Sequence, residues 1–271
     1  MLITAEDKNI LVELIKKRYD YDFSDYSESS LIRRISNYCI SLNIRSFFDL
    51  KHGLINDKGI FEGFVNEITV NVTEMYREPD FFSTLIKNVY PSLDTYPFIN
   101  IWHAGCSTGE EVLSNAILLE ENNLYDKSRI FATDINSEVI RTAKSRAYSI
   151  KTVKESSKNY KRSGGKYSLS DYYEIEDDHT RFDPSLLKNV TFSSHNLVSD
   201  SSFKEFNLIV CRNVIIYFNM ELQERVFKLF YDSLPMLGYL ALGSKETLDF
   251  SSLRSKFEIV SRVNKIYRKI G

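Results

Sequence analysis

Cysteine is scarce in this chain: Cys39, Cys106 and Cys211 are the three in 271 residues. They form neither a disulfide framework nor a Cys-x-x-Cys pair. The four histidines, His52, His103, His179 and His195, are dispersed, with no His-Glu-x-x-His pairing. No metal site is therefore expected, and a reducing cytoplasm is the expected compartment. Long apolar runs are also missing. None approaches the ~20 residues that span a bilayer, so no membrane insertion is expected. The N-terminus turns acidic at Glu6-Asp7, unlike a secretory signal. An excess of one charge is absent too, with 35 basic against 37 acidic residues and a net charge of −2. That lacks the basic bias of a nucleic-acid binder, and no nucleic acid is expected as partner. No internal repeat is visible and nothing in the pattern demands a dimer, so a monomer is expected.

The length allows one or two domains with a sizeable core. The first part reads as helices. Thr4 and Asp7 resemble a capping pair, followed by an Ile10, Leu11, Leu14, Ile15 stripe. A polar stretch from Asp20 to Ser30 breaks the pattern. Leu31, Ile32, Ile35, Tyr38, Cys39 and Leu42 then share a second helical face, and shorter helices are expected at Phe47–Leu54 and Ile60–Ile68. Pro79 suits the first turn of a helix.

From Pro97 the pattern changes to alternating strands and helices. Strands are expected at Phe98–Ala104, Arg129–Asp134, Asn189–Ser193, Phe206–Cys211 and Tyr239–Gly243. Helices are expected through Leu113–Leu119, at Glu138–Ala147 capped by Asn136 or Ser137, and after Asn219. This order predicts an α/β fold with a parallel sheet. Phe257–Ser261 and Lys265–Arg268 read as a terminal antiparallel hairpin. Tyr148 to Ser185 fits neither period and reads as an excursion from the sheet, with short strands at Tyr167–Leu169 and Tyr172–Ile175.

Gly105-Cys106-Ser107-Thr108-Gly109-Glu110 follows a strand and opens a helix. Glycines there let a ligand approach the backbone, and the helix start offers unpaired N–H groups. Asp134 ends the next strand, where a carboxylate commonly takes ribose hydroxyls. Neither Gly-x-Gly-x-x-Gly nor Gly-x-x-x-x-Gly-Lys-Ser/Thr is present, which argues against a dinucleotide oxidoreductase and a phosphate-binding loop. Glu110 is acidic where a phosphate would want positive charge. The arrangement favours a ligand with a ribose, a cationic group and little phosphate, properties that S-adenosylmethionine has.

Four segments resemble the chemotaxis receptor methyltransferases, the CheR family. Asn71-Val72-Thr73-Glu74-Met75-Tyr76-Arg77-Glu78 is similar to that family's Asn-x-Thr-x-Phe-Phe-Arg-Glu signature. Trp102 to Glu111 resembles its cofactor loop, and Ala132-Thr133-Asp134-Ile135 its strand end. Cys211-Arg212-Asn213-Val214-Ile215-Ile216-Tyr217-Phe218 matches almost residue for residue. Met75-Tyr76 stands where the family usually has Phe-Phe, and Val112-Leu113 where it has Pro-Tyr. The four segments occur in family order and span essentially the whole chain.

The resemblance implies a Rossmann-like class I methyltransferase sheet at 76–271, an all-helical N-terminal, substrate-facing domain at 1–75, and a small inserted β-subdomain at about 150–185. It implies S-adenosylmethionine-dependent methylation of glutamate side chains on the cytoplasmic domain of chemoreceptors, giving glutamate methyl esters and S-adenosylhomocysteine. Carried over by motif, cofactor contacts are expected from Asn71, Thr73, Arg77, Glu110, Asp134, Asn196, Leu197, Arg212 and Asn213, with Asn71 shaping the turn of its motif. Arg77 and Tyr217 would line the methyl-transfer site, and Arg33 and Arg34 would face the acidic receptor helices. A glutamate carboxylate is ionised near neutral pH and is its own nucleophile, so no general base is needed. Two alternatives have different signatures: a degenerate cofactor-binding regulatory module, and a methyltransferase acting on a non-receptor substrate. In some family members the β-subdomain docks a receptor C-terminal peptide, and no residues in this chain establish such docking.

Overall fold

The computed structural model describes residues 3–71 and 73–271, so Val72 of the Asn71–Glu78 motif lies outside the described residues. The chain divides into two units. One takes the chain through Asn71 together with Ile216–Val226; the other takes the rest.

The first unit is built on α1 (Ala5–Tyr19), α2 (Glu28–Ser41), α3 (Phe47–Asn56) and α4 (Lys58–Thr69). Local chemistry sets each start. The Thr4 hydroxyl accepts the Asp7 N–H at 3.1 Å, and the Asp7 carboxylate accepts the Thr4 N–H at 3.0 Å, a reciprocal capping box. Ser46 caps α3 through the Asp49 N–H (3.1 Å). Asp57 caps α4 through the N–H groups of Gly59 and Ile60. The helix α2 begins three residues before its apolar face, because Glu28, Ser29 and Ser30 are its polar first turn. Leu11, Ile15, Ile35, Leu50, Leu54 and Ile68 are fully buried and form the centre of this core.

The second unit opens with α5 (Pro79–Thr84), which has Pro79 in its first turn, and α6 (Tyr90–Leu93). Then follow β1 (Ile99–Ala104), α7 (Glu110–Glu121), β2 (Ser128–Asp134), α8 (Ser137–Ser145) and β3 (Ala147–Ser149). Next come α9 (Ile150–Arg162), β4 (Tyr173–Glu176), β5 (His179–Phe182), β6 (Val190–Ser194) and β7 (Leu208–Cys211). The chain ends with α10 (Met220–Asp232), β8 (Tyr239–Leu242), β9 (Phe257–Ser261) and β10 (Ile266–Lys269). The first half of α10 counts with the helical unit.

Seven strands form one sheet in the order β6-β2-β1-β7-β8-β10-β9. The strands β6, β2, β1, β7 and β8 are parallel; β10 and β9 are antiparallel. Strand order reverses between β1 and β7, which makes the carboxyl edge there the place where an open α/β sheet binds ligand. The strands β7 and β8 are buried and apolar throughout, as expected for strands covered on both faces. On β1, Ile101 sits beside Ile130 on β2 and Leu208 on β7.

The excursion holds a second sheet, β3-β5-β4, all antiparallel. Here the structure departs from the sequence expectation in two places. Residues Ile150–Arg162 form a helix rather than irregular chain. Its buried face is only Val153, Ser156 and Tyr160, too few apolar residues to reveal a helical period. Tyr167–Leu169 is not a strand: Ser168 and Asp171 close a capping box that starts a short helical turn, Leu169–Tyr172.

One buried carboxylate joins this excursion to α7. Glu121 accepts hydrogen bonds from the Tyr160 hydroxyl, the Tyr172 hydroxyl (2.8 Å) and the Lys166 N–H (3.0 Å). Glu121→Ala would strand two phenols and an amide, each costing on the order of 1–3 kcal/mol if buried without a partner. The expected loss is about 3 kcal/mol, read as a fall in thermal midpoint of roughly 6–10 °C, with faster proteolysis between 160 and 173.

Candidate active site

The carboxyl ends of β1, β2, β6 and β7 carry six of the twelve residues singled out by sequence: Glu110, Asp134, Asn196, Leu197, Arg212 and Asn213. After β1, Gly105 and Gly109 hold left-handed backbone, φ 77 and 91. A Cβ at Gly105 would lie 2.4 Å from Val214, and one at Gly109 2.7 Å from Ala143. Only glycine gives this turn both its conformation and its close packing. The N–H groups of Gly105 and Cys106 donate to the Thr133 carbonyl (2.8 and 2.9 Å), fixing the loop to β2.

Asp134 is buried and ties the same loop to the next. Its Oδ2 accepts the Ser107 N–H and its Oδ1 the Asn136 N–H, both at 2.9 Å. Burial pushes the Asp134 carboxyl up, and the backbone hydrogen bonds only partly oppose that. Glu110 is 8% exposed at the start of α7, and its Oε2 accepts the Thr108 hydroxyl at 2.6 Å. Burial raises its pKa as well. Beside them, the Ser107 hydroxyl is buried without a partner.

After β6, the Asn196 side chain accepts the Val198 N–H (2.9 Å) and shapes a tight turn through Leu197. After β7, Asn213 takes left-handed backbone (φ 61). Sequence reasoning missed what holds it. Glu246, 3% exposed, accepts N–H groups from Asn213 (3.0 Å), Val214 (2.9 Å), Ile215 (2.9 Å) and Gly243 (2.6 Å). Burial raises the Glu246 carboxyl, with those donors pulling against it. The available signal was a carboxylate three residues after Gly243, which ends a buried strand.

Arg212 is placed as a buried bridge. Its guanidinium donates to Glu111 (2.8 Å), Glu78 (2.7 Å) and the Arg77 carbonyl (3.1 Å), and lies 4.0 Å over the Phe81 ring. Glu78 also accepts the Ser244 hydroxyl at 2.6 Å. Arg77 is half-buried between Tyr76 and Glu78, which both hold left-handed backbone (φ 56 and 58). Arg212 thus pins this loop at Arg77 and Glu78. Burial alone would raise the Glu111 carboxyl, but the His103 hydrogen bond and the Arg212 charge outweigh it and hold it below the usual range.

His103 continues the chain of contacts. The Asn115 carbonyl accepts the Tyr90 hydroxyl (2.6 Å), so its amide N–H faces His103 Nε2 at 3.1 Å. Nε2 therefore accepts, and Nδ1–H donates to Glu111 at 3.0 Å. His103, Cys106 and Cys211 are buried, and burial pushes both thiols well up, so they are protonated at neutral pH.

Of the remaining predicted residues, all but Thr73 fall in the helical unit or at its end. Tyr217 ends a short helical turn, Ile215–Tyr217. Arg33 is exposed on α2 and Arg34 half-buried. The Asn71 amide donates to Thr69 (3.1 Å) and Asn66 (3.4 Å). Thr73, in the other unit, is half-buried. Among the described residues no cluster of His, Cys, Asp and Glu could hold a metal, and no helix is long and apolar enough to cross a membrane.

This rim is acidic, with an unpartnered hydroxyl and a glycine turn. It suits hydroxyls and a cation and disfavours a polyphosphate. A family model for the CheR methyltransferase SAM-binding domain matches residues 71–266, and one for the CheR all-alpha domain matches residues 6–69. The chain belongs to the CheR methyltransferase family. It is 42% identical to the Pseudomonas putida protein named "Putative methyltransferase Cher3", over 96% of this chain and 95% of that one. It is 30% identical to the Listeria innocua chemotaxis protein methyltransferase, over 90% of each chain. It is 26% identical to the Escherichia coli chemotaxis protein methyltransferase, over 91% of this chain and 85% of that one. This CheR-family protein is an S-adenosylmethionine-dependent methyltransferase with a mixed α/β sheet of the class I, Rossmann-like type and an all-helical N-terminal region.

Arg212→Met would leave Glu78 and Glu111 without their shared counter-charge. Loss of one partner from a fully buried pair costs about 3–5 kcal/mol. Both carboxylates keep some solvent, so urea unfolding should show a loss of about 2–4 kcal/mol. Arg141→Met, at the exposed Glu138–Arg141 pair, should cost under about 1 kcal/mol.

Proposed function

We propose that this protein transfers the methyl group of S-adenosylmethionine to glutamate side chains on the cytoplasmic domain of chemoreceptors, inside the cell. The single observation that carries the reading is the intact run Cys211–Phe218, held by three backbone hydrogen bonds to Glu246, from Asn213, Val214 and Ile215, and by Arg212 to the Arg77 loop. The naming of relatives in Listeria and Escherichia as chemotaxis methyltransferases supports the receptor as substrate.

S-adenosylmethionine supplies a methyl carbon bonded to a sulfonium sulfur. The substrate carboxylate oxygen forms the new bond to that carbon as the carbon–sulfur bond breaks, leaving the electron pair on sulfur. No proton need move, so alignment is the chain's main task, and alignment can supply about 7–11 kcal/mol in favourable cases. In this reading Asp134 takes the ribose hydroxyls with lone pairs its backbone partners leave free. Glu110 faces the cationic methionine end. Asn71, Thr73, Asn196, Leu197, Arg212 and Asn213 shape the rest of the cofactor site. Arg77 holds a carboxylate through its forked guanidinium, and Tyr217 offers its hydroxyl at the transfer point.

The decisive experiment incubates the protein with S-adenosylmethionine labelled in the methyl group and receptor cytoplasmic domains from its own organism. Label that alkali releases as methanol marks a glutamate methyl ester. Absence of transfer to receptor, with transfer to another protein, would support a non-receptor substrate. Cofactor binding without transfer to either would support a regulatory module. Arg77→Ala and Tyr217→Phe should each lower kcat/KM by about 10- to 100-fold, with the fold unchanged.

Acid should weaken cofactor binding early. The raised pKa of Glu110 means it takes a proton above the ordinary glutamate range as pH falls, and its neutral form no longer attracts a cation. Calorimetric affinity for S-adenosylmethionine should therefore drop as pH falls from 7.5 toward 5. In Glu110→Gln it should be about ten-fold weaker at pH 7.5, a loss of about 1.4 kcal/mol, and it should fall less steeply with pH than in the wild type.

A further inference from the structure

Arg34 sits on α2 beside Arg33, and the two are placed differently. Arg33 is exposed, whereas Arg34 is half-buried within the helical unit. The Arg34 guanidinium carbon lies 5.0 Å from the centroid of the Tyr217 ring, over its face. Its Nη1 donates to the Glu67 carbonyl on α4 at 3.2 Å, and its Nε is buried with no hydrogen-bond partner. A solvated charge meant to meet an acidic partner would not be committed in this way. A guanidinium stacked on an aromatic face and anchored by a carbonyl is a plate that fixes the ring's position.

The backbone around Tyr217 is held by the same unit. The Ser27 N–H donates to the Tyr217 carbonyl at 2.8 Å, and the Asn219 N–H donates to the Asp25 carbonyl at 2.9 Å. Tyr26 and Phe218 form an antiparallel bridge, with their rings edge to face at 5.1 Å. Arg225 pairs with Asp25. The segment that enters α2 therefore grips Tyr217–Asn219 from the backbone side, and Arg34 holds the ring.

We infer that Arg34 is a positioning residue that holds the Tyr217 ring for methyl transfer, so that the helical unit governs the rate of the reaction and not only the choice of substrate. This rests on the proposed role of Tyr217 at the transfer point. Arg33, exposed on the same helix, keeps the receptor-facing role.

The test compares Arg34→Ala, Arg34→Lys and Arg33→Ala with the wild-type enzyme, using receptor cytoplasmic domain and S-adenosylmethionine. Arg34→Ala should lower kcat about ten-fold or more while KM for the receptor changes less than about three-fold and cofactor affinity stays the same. Arg34→Lys, which keeps the charge but loses the planar stack, should recover little of that loss. In a Tyr217→Ala background, Arg34→Ala should cost nothing further. A rise in KM at unchanged kcat, recovered by lysine and additive with Tyr217→Ala, would make Arg34 a receptor contact and overturn the inference. A readout independent of activity separates this failure from failure of the proposed function. With 3-fluorotyrosine at position 217, the fluorine resonance should move in Arg34→Ala and stay fixed in Arg33→Ala. An unmoved resonance in Arg34→Ala overturns the inference whatever the substrate proves to be.

Discussion

Buried carboxylates that accept backbone N–H groups are the constraint on which the carboxyl edge of the sheet depends. Asp134 joins the loop after β1 to the turn after β2, and Glu246 gathers four amides from the loops after β7 and β8. Desolvation makes each ionised carboxylate costly, which is why both pKa values rise. Charge-assisted hydrogen bonds offset that cost only if the loops keep their shape. The same loops carry left-handed residues at Gly105, Ser107, Gly109 and Asn213. The carboxylates hold strained backbone that would otherwise relax. They also give the rim a negative character that suits a cationic ligand.

A second, ionic device fixes the Arg77 loop. Arg212 reaches Glu78, Glu111 and the Arg77 carbonyl, and the contacts run on through His103 and Asn115 to Tyr90. The network converts a loop between two left-handed residues into a rigid support. It also accounts for the histidine: His103, buried on β1, relays hydrogen bonds between Asn115 and Glu111. In the helical unit, Arg34 and the Asp25–Ser27 segment serve Tyr217 as Arg212 serves Arg77.

Much of the architecture was legible because its signals are local. The Thr4–Asp7 box, Pro79 in a first turn, and the apolar runs of β1, β2, β7 and β8 depend on neighbours in sequence. The helix α9 escaped because Val153 and Tyr160 are its only large buried apolar side chains. The strand β5 escaped because Thr180 and Phe182 make a single inward pair in a polar run. At the site, motif resemblance pointed to Asp134, Glu110, Arg77 and Asn213, but residue type alone did not disclose their partners. Glu246 meets Asn213, and Glu111 meets Arg212, only after the sheet has formed. Arg34 read as a surface charge because a helix with many polar residues gives no sign of which one folds over a distant tyrosine.

The central claim is that buried carboxylates set the backbone on which the cofactor site is built. Residue-resolved hydrogen exchange on Glu246→Gln tests it most directly. The account predicts lost protection at Asn213, Val214, Ile215 and Gly243, unchanged protection in β1 and β2, and weaker binding of S-adenosylmethionine. Unchanged exchange at those four amides, or full cofactor affinity despite their loss of protection, would contradict it.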